Sequence, residues 1–184
     1  MKIKIIPVEN QELILLTEKI AFEIWREHYA SIITSEQIEY MLEKFQSAEA
    51  IAGQMSENGY KYFLVNDNSG GVNGYFAVSG QEENLFLSKL YIHKNSRGKG
   101  FGKASLSFIK DFAKKNNYKY IWLTVNKNNL NSIEAYKKMG FVIDCEIKQD
   151  IGNGFIMDDY KMVLAMAPQA SSSARAAQKF RGEG

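Results

Sequence analysis

Leu85–His93 runs apolar and β-branched in the manner of a strand and gives way to Arg97-Gly-Lys-Gly-Phe-Gly102. From Lys103 to Lys115 apolar residues then recur at helical spacing. A strand that passes through a glycine loop into a helix belongs to a sheet with helices packed on its face. The loop also carries chemistry. Gly98, Gly100 and Gly102 let the backbone approach a ligand closely, and the first turn of a helix adds N–H groups without partners of their own. Lys94, Arg97, Lys99 and Lys103 surround these groups with no acidic residue among them. Such a cradle suits an anion, and a phosphate most naturally. It is not a Walker loop, because Arg97 stands where the first glycine belongs and Ala104 follows Gly102-Lys103. A dinucleotide fingerprint fails too, since Gly100 leads to Lys103 where a third glycine is required.

Around this segment the chain alternates between the two periodicities. Ile3–Val8 predicts a short strand, and Ile20, Phe22, Ile24, Trp25 and Tyr29 a helical region ending near Ser31. Ser35 is placed as the cap of a helix carrying Ile38, Met41, Leu42 and Phe45, and Ser47 as the cap of a third that stops at Asn58–Gly59. Strands are predicted over Tyr60–Asn66, Val72–Ser79 and Leu85–His93, separated by Gly- and Asn-rich turns. The helix Lys103–Lys115 is expected to bury Phe101, Ser105, Phe108 and Phe112. Tyr120–Val125 is a strand, and Ser132–Met139 a helix terminated by Gly140. Phe141–Lys148 and Ile156–Leu164 form a hairpin around Gly152–Gly154. The order β-α-α-α-β-β-β-α-β-α-β-β implies an α/β (α+β) domain, a mixed sheet of about seven strands with helices on its faces.

Composition bounds the rest. The 184 residues suit one domain, with 45% hydrophobic and 24% charged residues. No run approaches the apolar length of a membrane span. The first residues break their apolar run at Pro7, Glu9, Asn10 and Glu12, unlike a secretory signal. One cysteine, Cys145, allows neither an internal disulfide nor a multi-cysteine metal site. These features set the expectation of a cytoplasmic protein with no metal and no membrane partner. After Pro168 the composition shifts to a low-complexity stretch, so the domain is drawn at residues 1–166 and 167–184 is excluded from the fold as a disordered tail or an expression scar. A native helix over Ala174–Phe180 is the alternative. Arg175, Lys179 and Arg181 against Glu183 account for the whole formal charge of +2, so the body is neutral and a nucleic-acid partner is not expected.

Arg97, Gly100 and Gly102 form Arg-x-x-Gly-x-Gly, which resembles the acyl-CoA signature of the GNAT superfamily of N-acyltransferases. A second block, Asn131-Ser-Ile-Glu-Ala-Tyr136-Lys-Lys-Met-Gly140-Phe141, resembles that family's other signature, and the element order matches over residues 1–166. The resemblance implies a GNAT-like, mostly antiparallel sheet and acetyl-CoA as co-substrate. It implies that Arg97 and the backbone of Gly98, Lys99, Gly100, Phe101, Gly102 and Lys103 hold the pyrophosphate. Leu90, Tyr91 and Ile92 would pair with the pantetheine arm, and Asn131 would hydrogen-bond it. For catalysis it implies that the Leu90 N–H stabilises the oxyanion and that the Tyr136 hydroxyl meets the thioester sulfur. A phenol of pKa ~10 facing a thiol of ~8.5 makes full proton transfer uphill by about 2 kcal/mol, so Tyr136 is expected to act as a hydrogen-bond donor.

The implied reaction is acetyl transfer to a primary amine by direct attack in a ternary complex. An alkylamine of pKa ~10 is about a thousandth neutral at pH 7, which calls for a base. Many relatives carry a Glu near the position of Phe86, Leu87 and Ser88; this chain has none, and Ser88 can hold a water but is no base. Glu27, His28, Ser88 and Asp159 are candidates for contact with the acceptor, a small-molecule or peptide amine. The missing Glu keeps open a non-catalytic acyl-CoA sensor of the same fold. The acceptor, the base and homodimerisation are left open by the sequence.

Overall fold

The computed structural model describes residues 3–166; the tail at 167–184 lies outside the described residues. Seven strands, β1 (Lys4–Pro7), β2 (Tyr60–Asn66), β3 (Val72–Gln81), β4 (Asn84–Ile92), β5 (Tyr120–Asn126), β6 (Val142–Gly152) and β7 (Phe155–Ala165), form one sheet in the order β1-β2-β3-β4-β5-β7-β6. Every neighbouring pair is antiparallel except β4 with β5. Helices α1 (Gln11–Tyr29), α2 (Ser35–Gln46) and α3 (Ala48–Glu57) cover one face, and α4 (Phe101–Lys115) and α5 (Leu130–Lys138) cover the other. The predicted α/β order, strand number and two-sided cover are all observed.

Alternation in the central strands divides two cores. Phe63, Val65, Phe76 and Val78 pack toward α4, while Tyr62, Leu64, Tyr75 and Ala77 pack toward α1–α3. Because both faces are covered, Tyr62–Val65 and Tyr75–Val78 are continuously buried. On α4 the fully buried residues are Phe101, Ser105, Leu106, Ile109 and Ala113. Phe108 and Phe112 only flank that stripe, half-buried, with Phe108 edge-on to Phe63 at 5.1 Å between ring centres. The expected face shares the 3.6-residue period, but the buried stripe is centred on Leu106, Ile109 and Ala113, so the two phenylalanines lie along its edge. Ser47 caps α3 as expected, but α2 is capped by Thr34: its extended backbone lets the hydroxyl accept from the Gln37 N–H at 3.2 Å, while Ser35 is already helical. The β6–β7 hairpin is longer than predicted, because Asn153 and Gly154 both take positive φ and make a two-residue turn.

Two irregularities of β4 matter most. Leu87 faces Val78 and Lys89 faces Ala77, so Ser88 is an extra residue, a bulge. The bulge reverses the phase of the strand: Leu85 and Leu87 belong to the α4 core before it, and Leu90 and Ile92 after it. Beside it, β4 and β5 pair in parallel only over Asn84–Phe86 with Tyr120–Trp122. Beyond Phe86 the two strands part, and the rest of β4 has a partner on the β3 side alone.

The phase reversal also turns Lys89 inward on the α1–α3 side, where it is 6% exposed. Its ammonium donates to the Tyr62 hydroxyl at 2.6 Å and to Gln54 Oε1 at 2.7 Å and lies over the Tyr62 ring, with no carboxylate paired to it among the described residues. Burial pushes its pKa down to about 7. The unfolded chain keeps this proton to about pH 10.4, so it binds more protons than the folded one between those values. The destabilisation is therefore complete below pH 7 and is relieved as pH rises. Lys89→Met should be more stable than the parent at pH 7. Urea unfolding should show that advantage shrinking by at most about 1.4 kcal/mol per pH unit toward pH 9.5; a pH-independent difference would show that Lys89 keeps its proton when folded, as it does in the unfolded chain.

Candidate active site

The parting of β4 and β5 opens a cavity of about 640 Å³, within the range of small-molecule sites. One end lies at the start of α4. Gly98 and Gly100 have φ of +75° and +91°, and a Cβ built on either would meet no protein atom within 4 Å. Gly100 caps α4 without a side chain, and the first bond of the helix runs from the Ala104 N–H to the Gly100 carbonyl at 2.9 Å. The N–H groups before it are left for a ligand. Arg97 Nε donates to the Ile92 carbonyl at 2.9 Å, tying the loop to the end of β4.

The middle of the cavity is strand β4. The His93 N–H donates to the Asn73 carbonyl on the β3 side at 2.9 Å. By the two-residue period, Tyr91 and Lys89 also turn their backbone groups toward β3, and Leu90 and Ile92 turn theirs to the open side. The Leu90 N–H thus faces the cavity. Across from it stands Tyr136 of α5, packed edge-on against Phe141 at 5.5 Å between centres. Its hydroxyl has no hydrogen-bond partner among the described residues. Burial, with Tyr29 nearby, raises its pKa, so it stays a protonated donor.

The far end is built by α1, α2, the end of β5 and β7. Trp25, Tyr29 and Tyr91 form an aromatic wall, with Trp25 4.4 Å from Tyr29 and 5.5 Å from Tyr91 between ring centres. The Tyr29 and Tyr91 hydroxyls lie 3.3 Å apart, and burial holds the Tyr29 pKa up at about 12. His28 Nε2 is 3.0 Å from Asn129 Nδ2. Asn129 caps α5 by accepting the Ser132 N–H at its Oδ1, which leaves its amide nitrogen to donate to His28. Burial, reinforced by Arg97, lowers the His28 pKa and keeps the ring neutral. Asp159, 3% exposed, borders the same space, and its Oδ1 has no hydrogen-bond partner. Burial raises its pKa to about 6, against the Thr124 hydroxyl, which favours the ionised form.

Of the residues named from sequence, Leu90, Tyr91, Ile92, Arg97, Gly98, Gly100, Gly102, Lys103, Asn131 and Tyr136 border one cavity, together with His28, Ser88 and Asp159. Three do not. The Lys99 side chain projects to solvent and that of Phe101 is sunk in the core beneath α4, which does not bear on the expectation for their backbone N–H groups; Glu27 turns to Lys94 at 3.6 Å. Helix geometry explains both side-chain positions: Phe101 opens the buried stripe of α4, and Glu27 falls on the outer side of α1. Trp25, Tyr29, Thr124 and Asn129 were not anticipated as site residues. Only Asn129 left a trace, an Asn just ahead of a helical run.

Gly102 gives the cleanest test of the cradle. It sits in ordinary helical conformation, and an added Cβ would meet only the Met139 methyl at 3.8 Å. Gly102→Ala should therefore hold or raise stability by about 0.5–1 kcal/mol, the usual helical gain over glycine. Gly102 and Met139 both border the cavity, so the added methyl is expected to narrow the approach of a phosphate to the cradle. Calorimetry should show CoA affinity falling at least about tenfold, a loss of ~1.4 kcal/mol; unchanged affinity would move the ligand elsewhere.

The family model for the acetyltransferase (GNAT) family matches residues 20–141. Streptothricin acetyltransferase of Streptomyces lavendulae is 31% identical over 81 residues, 43% of this chain and 43% of that protein. A probable spermine N(1)-acetyltransferase of Bacillus subtilis subsp. natto (strain BEST195) is 33% identical over 64 residues, 34% of this chain and 42% of its own length. The match thus spans about two fifths of each relative. The PaiA N-acetyltransferase of Thermoplasma acidophilum, solved with coenzyme A, superposes with a TM-score of 0.74 at 21% identity, covering 90% of this chain and 99% of that one, a likeness of fold. With the cavity between β4 and β5, the glycine cradle of α4 and a family model that covers most of the chain, this protein belongs to the acetyltransferase (GNAT) family.

Proposed function

We propose that the protein binds acetyl-CoA along β4 and transfers its acetyl group to a primary amine by direct attack in a ternary complex. The observation that carries this reading is the parting of β4 from β5, which puts the basic glycine cradle, the Leu90 N–H and the Tyr136 hydroxyl on one cavity. The cradle suits the pyrophosphate, with Arg97 and Lys103 beside it. The open backbone of β4 suits the amide groups of the pantetheine arm, as an added strand would. The thioester carbonyl then lies near the Leu90 N–H, which meets the charge that develops on oxygen. Relatives that acetylate streptothricin and spermine, as their names state, support an amine acceptor.

Direct attack is favoured by what the cavity offers as nucleophiles. Cys145 stands exposed on β6, away from it. Ser88 borders it without a hydrogen-bonded base to activate its hydroxyl, so no acyl-enzyme is expected. Initial rates of thiol release against both substrates should give intersecting lines; parallel lines would mean a covalent intermediate.

Tyr136 is assigned to the departing sulfur. Its hydroxyl makes no bond within the protein, so Tyr136→Phe should change stability by less than about 1 kcal/mol. Loss of one donor to developing charge should lower turnover by about 10- to 100-fold with CoA affinity nearly unchanged. Single-turnover acetyl transfer at saturating acceptor tests this. An unchanged rate would leave Tyr136 a packing residue, and lost CoA affinity with normal turnover would make it a binding residue.

A further inference from the structure

Resting on that acetyl transfer, we infer that Asp159 anchors the acceptor's ammonium and takes its proton, and that the acceptor carries one positive charge at its reacting end and an uncharged, largely apolar remainder. Asp159 is the one acidic residue bordering the cavity among the described residues. Its Oδ1 is buried and unpartnered, an arrangement that costs stability unless something enters to meet it. An ammonium supplies that partner. Trp25, Tyr29 and Tyr91 present ring faces and edges around the same space, where a cation is held by their quadrupoles and an apolar chain by their area. Ile33, Met41 and Met157 continue this wall. A second or third ammonium on the same acceptor would lie against these apolar groups with no acid to meet it.

His28 is the other conceivable base, and its geometry argues against it. The Nε2 lone pair accepts from Asn129, whose orientation is set by its role as the cap of α5. Asp159 has a free oxygen. The groups that face it are Tyr29 from α1, Thr124 and Asn126 from β5, and Lys127 just beyond that strand. Asp158 adjoins it on β7, and Ile147 lies opposite it on β6. Lys127 is engaged by Asp158 at 2.6 Å and Glu146 at 2.7 Å, so it favours the Asp159 carboxylate only from a distance and does not pair with it. Burial disfavours both the carboxylate and the ammonium, so it raises the one pKa, lowers the other and narrows the gap that the proton must cross.

The step balances as follows. The ammonium gives one proton to Asp159, and the freed nitrogen pair attacks the thioester carbon. The C–N bond forms and the C–S bond breaks. CoA leaves as a thiolate and takes the second nitrogen proton, with Tyr136 donating a hydrogen bond to the sulfur, and Asp159 returns its proton to solvent.

The test uses the full chain with acetyl-CoA and three acceptors: phenethylamine, with one ammonium; spermine, with several; and methoxyamine, neutral at pH 7. The wild type should favour phenethylamine over spermine in kcat/KM, and for phenethylamine kcat/KM should rise as pH climbs through about 6, where Asp159 ionises. Asp159→Asn should lose that limb and at least about 100-fold in kcat/KM for phenethylamine, yet less than about fivefold for methoxyamine, with CoA affinity unchanged. Equal losses for both acceptors, no loss, or a limb abolished by His28→Gln but kept by Asp159→Asn would overturn the assignment of the base. A preference for spermine would overturn the charge count. If Asp159→Asn does not fold, Asp159→Ala with added formate takes its place; rescue of phenethylamine turnover supports the inference and its absence overturns it. A wild type that binds CoA but releases no thiol with any acceptor would sink the acetyl-transfer reading itself.

Discussion

Three pairs of residues hold β4 to β5, and then the ladder stops. A sheet interior rarely gives up backbone hydrogen bonds, because an unpaired N–H or carbonyl away from water is costly. Here the bulge at Ser88 turns β4 away, and the freed backbone from Leu90 onward faces a cavity deep enough to take a ligand. The site is thus built from hydrogen bonds that the fold leaves unmade. Their cost is tolerable because α4 and α5 bridge the gap on one face: Phe101, Leu106, Ile133 and Phe141 keep a continuous core beneath the parted strands.

The same bulge has a second consequence on the opposite face. It puts Lys89 opposite Ala77, where an unbroken register would place Ser88, and the protein meets the ammonium with Tyr62 and Gln54, two neutral acceptors. Along the cavity itself the polarity changes from end to end. The α4 end is basic and rich in unpaired N–H groups, whereas the β7 end is aromatic with one buried carboxylate. In the proposed reaction this gradient orients the two substrates head to head, the anionic one entering from the glycine loop and the cationic one from the side of α1 and α2.

Much of the fold was legible because it rests on local periodicity. The order of elements follows from two-residue and 3.6-residue patterns, and the errors fall where local signals compete: Thr34 beside Ser35 as a cap, and two large phenylalanines beside a smaller stripe of Leu106, Ile109 and Ala113. The glycine loop was legible because a positive φ and a close approach both select glycine. Glu27 was misplaced because one step along a helix rotates a side chain by about 100°, enough to turn it from the cavity to solvent.

By itself, the sequence determined the strand–loop–helix cradle, the second motif that ends at Gly140-Phe141, and the family they resemble, since these depend on residues close in the chain. What only the tertiary structure decided was the aromatic end of the cavity with its buried carboxylate. Trp25 and Tyr29 come from α1, Tyr91 from β4, Asn129 from the cap of α5 and Asp159 from β7, a span of more than 130 positions. Neither the burial of one aspartate nor the missing partner of its oxygen has any local signature. Both arise when distant elements close around it and exclude water.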